Sequence, residues 1–178
     1  MSAYFDTSAL VAAYVTEVHS PAARRALRRH GSIPFTALHR LELRNSLELL
    51  VGRTLLSATE RDGLVTQIQE DRRAGRLIES AVDWQMILTI AGDLSVVHTK
   101  KHLTRSLDLL HIATALELKC DTFVSGDRRQ LGAASAAKLR PVDITRSRSK
   151  GKVAVLSGLE CPRSCPRGQQ RQPTRVRL

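Results

Sequence analysis

Five short apolar runs alternate with longer segments of helical period along the first 144 residues, and this alternation most narrows the folds open to the chain. The strand-like runs are residues 2–5 (SAYF), 32–35 (SIPF), 76–80 (RLIES), 121–125 (DTFVS) and 139–144 (LRPVDI). Helices are predicted over residues 8–16, 20–30, 36–53, 57–75, 106–119 and 127–135, with one or two more over 83–99. Their starts carry recognisable chemistry. Ser20 precedes Pro21 as an N-cap precedes a first-turn proline, Thr36 stands at the head of its helix, and Ser57 and Glu60 have capping-box spacing. Strands joined through helices pair in parallel, so the pattern predicts an α/β sandwich around a mainly parallel sheet. No internal repeat is visible.

The net charge of +11 points less firmly to nucleic acid than its size suggests. Residues 145–178 hold nine Lys/Arg against the single acid Glu160, whereas residues 1–144 hold nineteen against sixteen. The expected organisation is one domain over 1–145 and a basic, disordered tail over 146–178, rich in Ser, Gly, Pro, Gln and Arg. No apolar run approaches the roughly 20 residues of a membrane span, and no secretory signal opens the chain. Three cysteines are too few for a disulfide framework, and Cys161 and Cys165 have the spacing of only half a zinc site. A reduced, cytoplasmic protein is expected.

Four acids do not suit their surroundings. Asp6 follows the first strand, where the simpler reading is a helix cap. Glu42 shares a helical stripe with Leu38, Asn45 and Leu49, away from Arg40 and Arg44, although it could still reach round to an arginine. Asp108 sits in LDLLHIATALEL, apolar or small on almost every side, where a charge is costly unless paired or cation-bound. Its position near the helix start also suits a first-turn carboxylate favoured by the dipole. Asp127 ends a strand and precedes RRQL, as a turn or cap residue would. In an open α/β sheet, however, ligands bind at the C-terminal strand edge, where Asp6 and Asp127 would meet. Glu42 and Asp108 could complete a ring. Four converging carboxylates repel unless a cation joins them, and oxygen ligands alone suit Mg²⁺ or Mn²⁺ acting on a phosphoester.

The motifs YFDTSAL around Asp6, LELRNSL around Glu42, RSLDLLHIATAL around Asp108 and FVSGD ending in Asp127 resemble those of the PIN-domain ribonucleases. Their order and spacing are most similar to the VapC toxins of bacterial toxin–antitoxin pairs, over residues 2 to 144. The resemblance implies a three-layer α/β/α fold, a Mg²⁺- or Mn²⁺-dependent endoribonuclease, inhibition by a small cognate antitoxin, and a homodimer. It makes Asp6, Glu42, Asp108 and Asp127 the catalytic, metal-binding acids, supported by Ser8, Ser125 and Asn45. Ser125 stands where the family usually has Thr. Arg128 and Arg129 follow Asp127, where the family often has a further acid.

Basic residues near these motifs are candidates for RNA phosphate: Arg24, Arg25, Arg28 and Arg29 on the second helix, Lys100, Lys101 and Arg105 before Asp108, and Arg128. Solvated helix faces are their simpler reading. An aromatic content of 3% leaves no base-stacking platform. Among the histidines 98, 102 and 111, His111 lies in register with Asp108 and suits either acid–base work or packing. Two alternatives stand beside the toxin nuclease. One is a catalytically silent RNA- or protein-binding module on the same fold, and the other is a DNA structure-specific nuclease, which would need a longer clamping insertion.

Overall fold

The computed structural model describes residues 2–146, which belong to one compact unit spanning Met1–Ser147. The expected tail over 146–178, with Cys161 and Cys165, lies outside the described residues apart from Arg146. In chain order the elements are β1 (Ala3–Phe5), α1 (Thr7–Tyr14), α2 (Ser20–His30), β2 (Ile33–Phe35), α3 (Ala37–Gly52) and α4 (Ala58–Arg73). There follow β3 (Leu77–Glu79), α5 (Trp84–His102), α6 (Ser106–Glu117), β4 (Thr122–Ser125), α7 (Arg128–Ala136) and β5 (Arg140–Asp143).

Every strand pairing is parallel. β4 lies between β1 and β5, with Phe5 opposite Val124 and Ser125 opposite Asp143, while β2 and β3 form a second ladder with Ile33 opposite Leu77. Side chains alternate along β1 and β4, and both faces of the sheet are covered. Phe5 and Val124 join Leu10, Ile33, Phe35, Leu43 and Leu47 on one face, whereas Tyr4 and Phe123 join Ile112, Leu131 and Leu139 on the other. Helices α1, α3 and α4 thus form one outer layer and α6 and α7 the other. A third cluster, Ile87, Ala91, Leu109 and Ala113, packs α5 on α6. The three-layer α/β/α architecture is as expected.

One local expectation changes and another, open between one helix and two, is resolved. Ser20 is the first residue of α2 rather than its N-cap, because its hydroxyl turns back to donate to the Val15 carbonyl (2.6 Å) and accepts from Glu17 N–H (2.8 Å). Residues 84–102 form a single helix, capped by Asp83, whose carboxylate accepts from Gln85 and Met86 N–H. That helix stops at Leu103, which takes a left-handed φ of 55° and turns the chain within Leu103–Arg105 into α6. Among the described residues no helix is long and apolar enough to cross a membrane.

Candidate active site

Parallel strands bring their C-terminal ends to one edge, and β1 and β4, being neighbours, deliver Asp6 and Asp127 there. Each acid caps the next helix. Asp6 Oδ1 accepts from Ala9 N–H (2.8 Å) at the start of α1, and Asp127 Oδ1 accepts from Arg129 N–H (2.7 Å) at the start of α7. Two serines stitch the junctions together. Ser8 and Ser125 donate their hydroxyl protons to Asp6, each at 2.8 Å, and accept in turn from the N–H groups of Gly126 (3.2 Å) and Asp127 (2.9 Å). Asp6 is only 2% exposed. Burial raises its carboxyl above the ordinary range, against the opposing influence of His111, the Ala9 N–H and the two serines.

Glu42 faces this edge from α3, with Thr7 donating to Oε2 at 2.7 Å and His111 Nε2 bound to the same oxygen. Burial alone would raise the Glu42 carboxyl; the hydrogen bond and charge of His111, with help from Thr7, lower it instead. Among the described residues no arginine takes part. His111 is itself buried on α6, its Nδ1 2.9 Å from the Tyr4 hydroxyl, so it is both packed and engaged with an acid of the site.

Asp108, half-buried in the first turn of α6, accepts from the Arg105 N–H (2.7 Å) as a helix-start carboxylate does. Its other oxygen accepts from Gln130 Nε2 at 2.8 Å. Gln130 Oε1 in turn lies 3.5 Å from Ser125 Oγ, so α7 spans the gap between the Asp6 and Asp108 neighbourhoods. Asp127 differs from the other three in its partner: Arg129 Nη2 lies 2.9 Å from Oδ2, and this guanidinium holds the carboxyl below its usual range.

All four acids line one cleft of about 650 Å³, together with Ser8, Asn45, Thr7, His111 and Gln130. The cleft departs from the expected ring, because among the described residues no three His, Cys, Asp or Glu side chains gather closely enough to cage a metal ion. Each carboxylate is drawn instead to its own donors. The donor set nevertheless fits a hard divalent cation. Asp6 and Asp108 offer carboxylate oxygens, with the hydroxyl oxygens of Ser8 and Ser125 beside Asp6, and Mg²⁺ is ordinarily held by one or two carboxylates while keeping several waters, rather than by an all-protein cage.

Supporting and basic residues divide unevenly. Ser8 and Ser125 touch Asp6 directly; Asn45, exposed one turn beyond Glu42, lines the cleft without hydrogen-bonding an acid among the described residues. None of Arg24, Arg25, Arg28, Arg29, Lys100, Lys101, Arg105 and Arg128 lines it. Arg24 is committed elsewhere, its guanidinium donating to the carbonyls of Ala13 (2.8 Å) and Tyr14 (3.4 Å) at the end of α1. Arg29 adjoins His30, whose imidazole feels Arg140 and Asp121 at the N-terminal edge of the sheet, opposite the acids. Arg105 and Arg128 stand at helix starts on the acidic edge, and Lys100 and Lys101 are exposed at the end of α5.

Sequence reasoning missed Thr7, His39 and Gln130, and singled out Arg129 only as a departure from the family pattern, not as the partner of Asp127. His39 occupies the third position of α3, where a capping box usually holds Glu or Gln. Its Nδ1 accepts from Thr36 N–H (3.0 Å), and its Nε2–H donates to the carbonyl of Phe5 (2.8 Å), the residue before Asp6. The box spacing was the available signal. Gln130 could have been found as the residue three beyond the Asp127 cap, on the inward side of a short helix.

The PIN domain family model matches residues 3–136, and no curated protein matches the chain. Among solved structures, the crystal structure of FitAcB from Neisseria gonorrhoeae superposes with a TM-score of 0.52 at 17% identity, covering 83% of this chain and 100% of that chain. With the family model covering most of the described residues on a sheet and cleft of this form, the chain belongs to the PIN-domain family, whose members are generally nucleases.

Proposed function

We propose that the protein is a Mg²⁺- or Mn²⁺-dependent endoribonuclease, the toxin of a type II toxin–antitoxin pair of the VapC type, with Asp6, Glu42, Asp108 and Asp127 as its acidic site. One observation carries the reading: Asp6 is a carboxylate buried to 2% exposure and supplied, among the described residues, with neutral donors only, in a cleft that Glu42, Asp108 and Asp127 also line. Such a charge is costly without a cation. Asp6 and Asp108 are the residues that would hold the ion, with Glu42 beside them. A divalent cation in that position supplies Lewis acidity towards a phosphodiester and lowers the pKa of water.

The chain's own groups do the rest. Ser8, Ser125 and the Ala9 N–H fix both oxygens of Asp6, and Gln130 and the Arg105 N–H fix those of Asp108. His111 and Thr7 hold the Glu42 carboxylate over the cleft. Arg105 and Arg128, at the helix starts on this edge, suit phosphates of an RNA lying across it. The rim suits an inhibiting protein, since Leu41 and Leu107 line the cleft while remaining 68% and 51% exposed. The α5 residues Met86, Leu88, Val96 and Val97 are exposed as well, and are apolar surface available to a second copy. A cytoplasmic location follows from the toxin reading.

Purified protein should cleave RNA with Mg²⁺ or Mn²⁺, fall silent in chelator, and lose cleavage in Asp108→Asn. Cleavage that persists in Asp108→Asn, once contaminating nuclease is excluded, would refute the site. RNA binding without cleavage by the wild-type protein would favour the silent binding module.

A further inference from the structure

Asp6, Glu42, Asp108 and Asp127, which line the cleft, are not electrostatically equivalent. Asp6 and Asp108 receive only neutral donors: hydroxyls and a backbone N–H for the first, an amide and a backbone N–H for the second. Glu42 is bound by His111. Asp127 alone among them has a permanently charged partner, the Arg129 guanidinium, which donates from Nη2 at 2.9 Å and from Nε at 3.3 Å. Arg129 is therefore held by Asp127 at the rim of a cleft that Asp108 also lines. A second divalent ion recruiting those carboxylates would need the same electrostatic ground.

Resting on the nuclease reading above, we infer that Arg129 is a tethered cation that takes the place of a second metal ion and limits the cleft to one. It is a positioning residue, neutralising Asp127 and withdrawing it from metal binding, while Asp6 and Asp108 remain for the ion. Its backbone N–H, not its side chain, serves the α7 cap, so the side chain can be exchanged without removing the helix start. Half-exposed at the rim, with 42% of its side chain accessible, it fills no core space.

The test is Mn²⁺ stoichiometry on the full chain, measured by calorimetry and by the electron paramagnetic resonance spectrum, in which two neighbouring Mn²⁺ ions couple and a single ion does not. The wild-type protein should bind one Mn²⁺ with an uncoupled spectrum. Arg129→Gln should bind two with a coupled spectrum, and Arg129→Lys, which keeps the charge, should return to one. Two ions in the wild type, or one in Arg129→Gln, would overturn the inference and leave the nuclease reading standing. Absence of Mn²⁺ binding in all three proteins would overturn both. A merely structural role for Arg129 would lower the melting temperature of Arg129→Gln without changing the count.

Discussion

The β1–α1 and β4–α7 junctions are built alike and behave in opposite ways. Each is a strand ending in an acid that caps the next helix, and the two strands are hydrogen-bonded neighbours. Asp6 lies inside, touched by serine hydroxyls, and its carboxyl is raised; Asp127 lies at the rim, touched by arginine, and its carboxyl is lowered. Capping is thus common to both sites and explains neither as a functional group. What separates the two acids is the second partner of the carboxylate: serine hydroxyls without charge at Asp6, a guanidinium at Asp127.

The sharpest way to break the comparison is to replace each acid by Asn, which caps a helix as well as Asp does. Asp6→Asn should lower metal-dependent RNA cleavage by roughly 10²–10³-fold or more, the scale on which loss of one group stabilising transition-state charge is felt. Asp127→Asn should cost about tenfold or less on the same scale. Equal losses in the two variants would show that the junctions are equivalent after all.

A second prediction concerns the support behind the Asp6 junction, which Asp127 lacks. His39 bridges Thr36 N–H and the Phe5 carbonyl as a neutral imidazole, and burial lowers its pKa from 6.5 to about 3. Protonation of Nδ1 would set a donor against the Thr36 N–H. The folded value is depressed, so the stabilising contribution is complete above the unfolded value and is lost as pH falls from about 6.5 towards 3. The loss runs at up to about 1.4 kcal/mol per pH unit. His39→Gln should flatten that part of the stability–pH curve in chemical denaturation; an unchanged slope would remove His39 from the account.

The two acids should also titrate with opposite signs in chelator. The raised Asp6 carboxyl stabilises the fold below the unfolded carboxylate range, near pH 4, and that contribution is lost as pH rises through the raised value. The lowered Asp127 carboxyl stabilises above that range, and its contribution is lost as pH falls. Relative to wild type, Asp6→Asn should therefore gain stability as pH climbs from about 4. Asp127→Asn should lose stability as pH climbs to the same point. Urea midpoints across pH read both; matching signs would contradict the electrostatic contrast. The smallest effect belongs to Ser125→Ala, which removes a donor from Asp6 and an acceptor from the Asp127 N–H, and should cost about 1 kcal/mol in the same assay.

The fold was largely legible because its signals are local. The five apolar runs became the five strands, and the Ser57–Glu60 capping box formed as its spacing implied. Ser20 misled because a serine before proline has a second option, the carbonyl of Val15 in the preceding loop. The four acids were legible as charges out of place, and the cleft does bring them together. Their wiring was hidden, since Ser125 and His111 reach Asp6 and Glu42 from 119 and 69 residues away. The Arg129–Asp127 pair was the exception: its partners are two residues apart, and Arg129 already stood out in the sequence where the family often has a further acid. The arginines of α2 do not line the cleft, and helical spacing alone gives a face and not the sheet edge to which that face is carried.

The central claim is that a divalent cation sits at the base of this cleft against Asp6 and Asp108, and an anomalous difference map from crystals soaked in Mn²⁺ tests it most directly. The expected result is a peak at about 2.1 Å from carboxylate oxygens of both residues, the distance octahedral oxygen sites of small divalent ions adopt. An empty cleft in occupied, well-ordered crystals, or a peak that leaves Asp6 untouched, would contradict it.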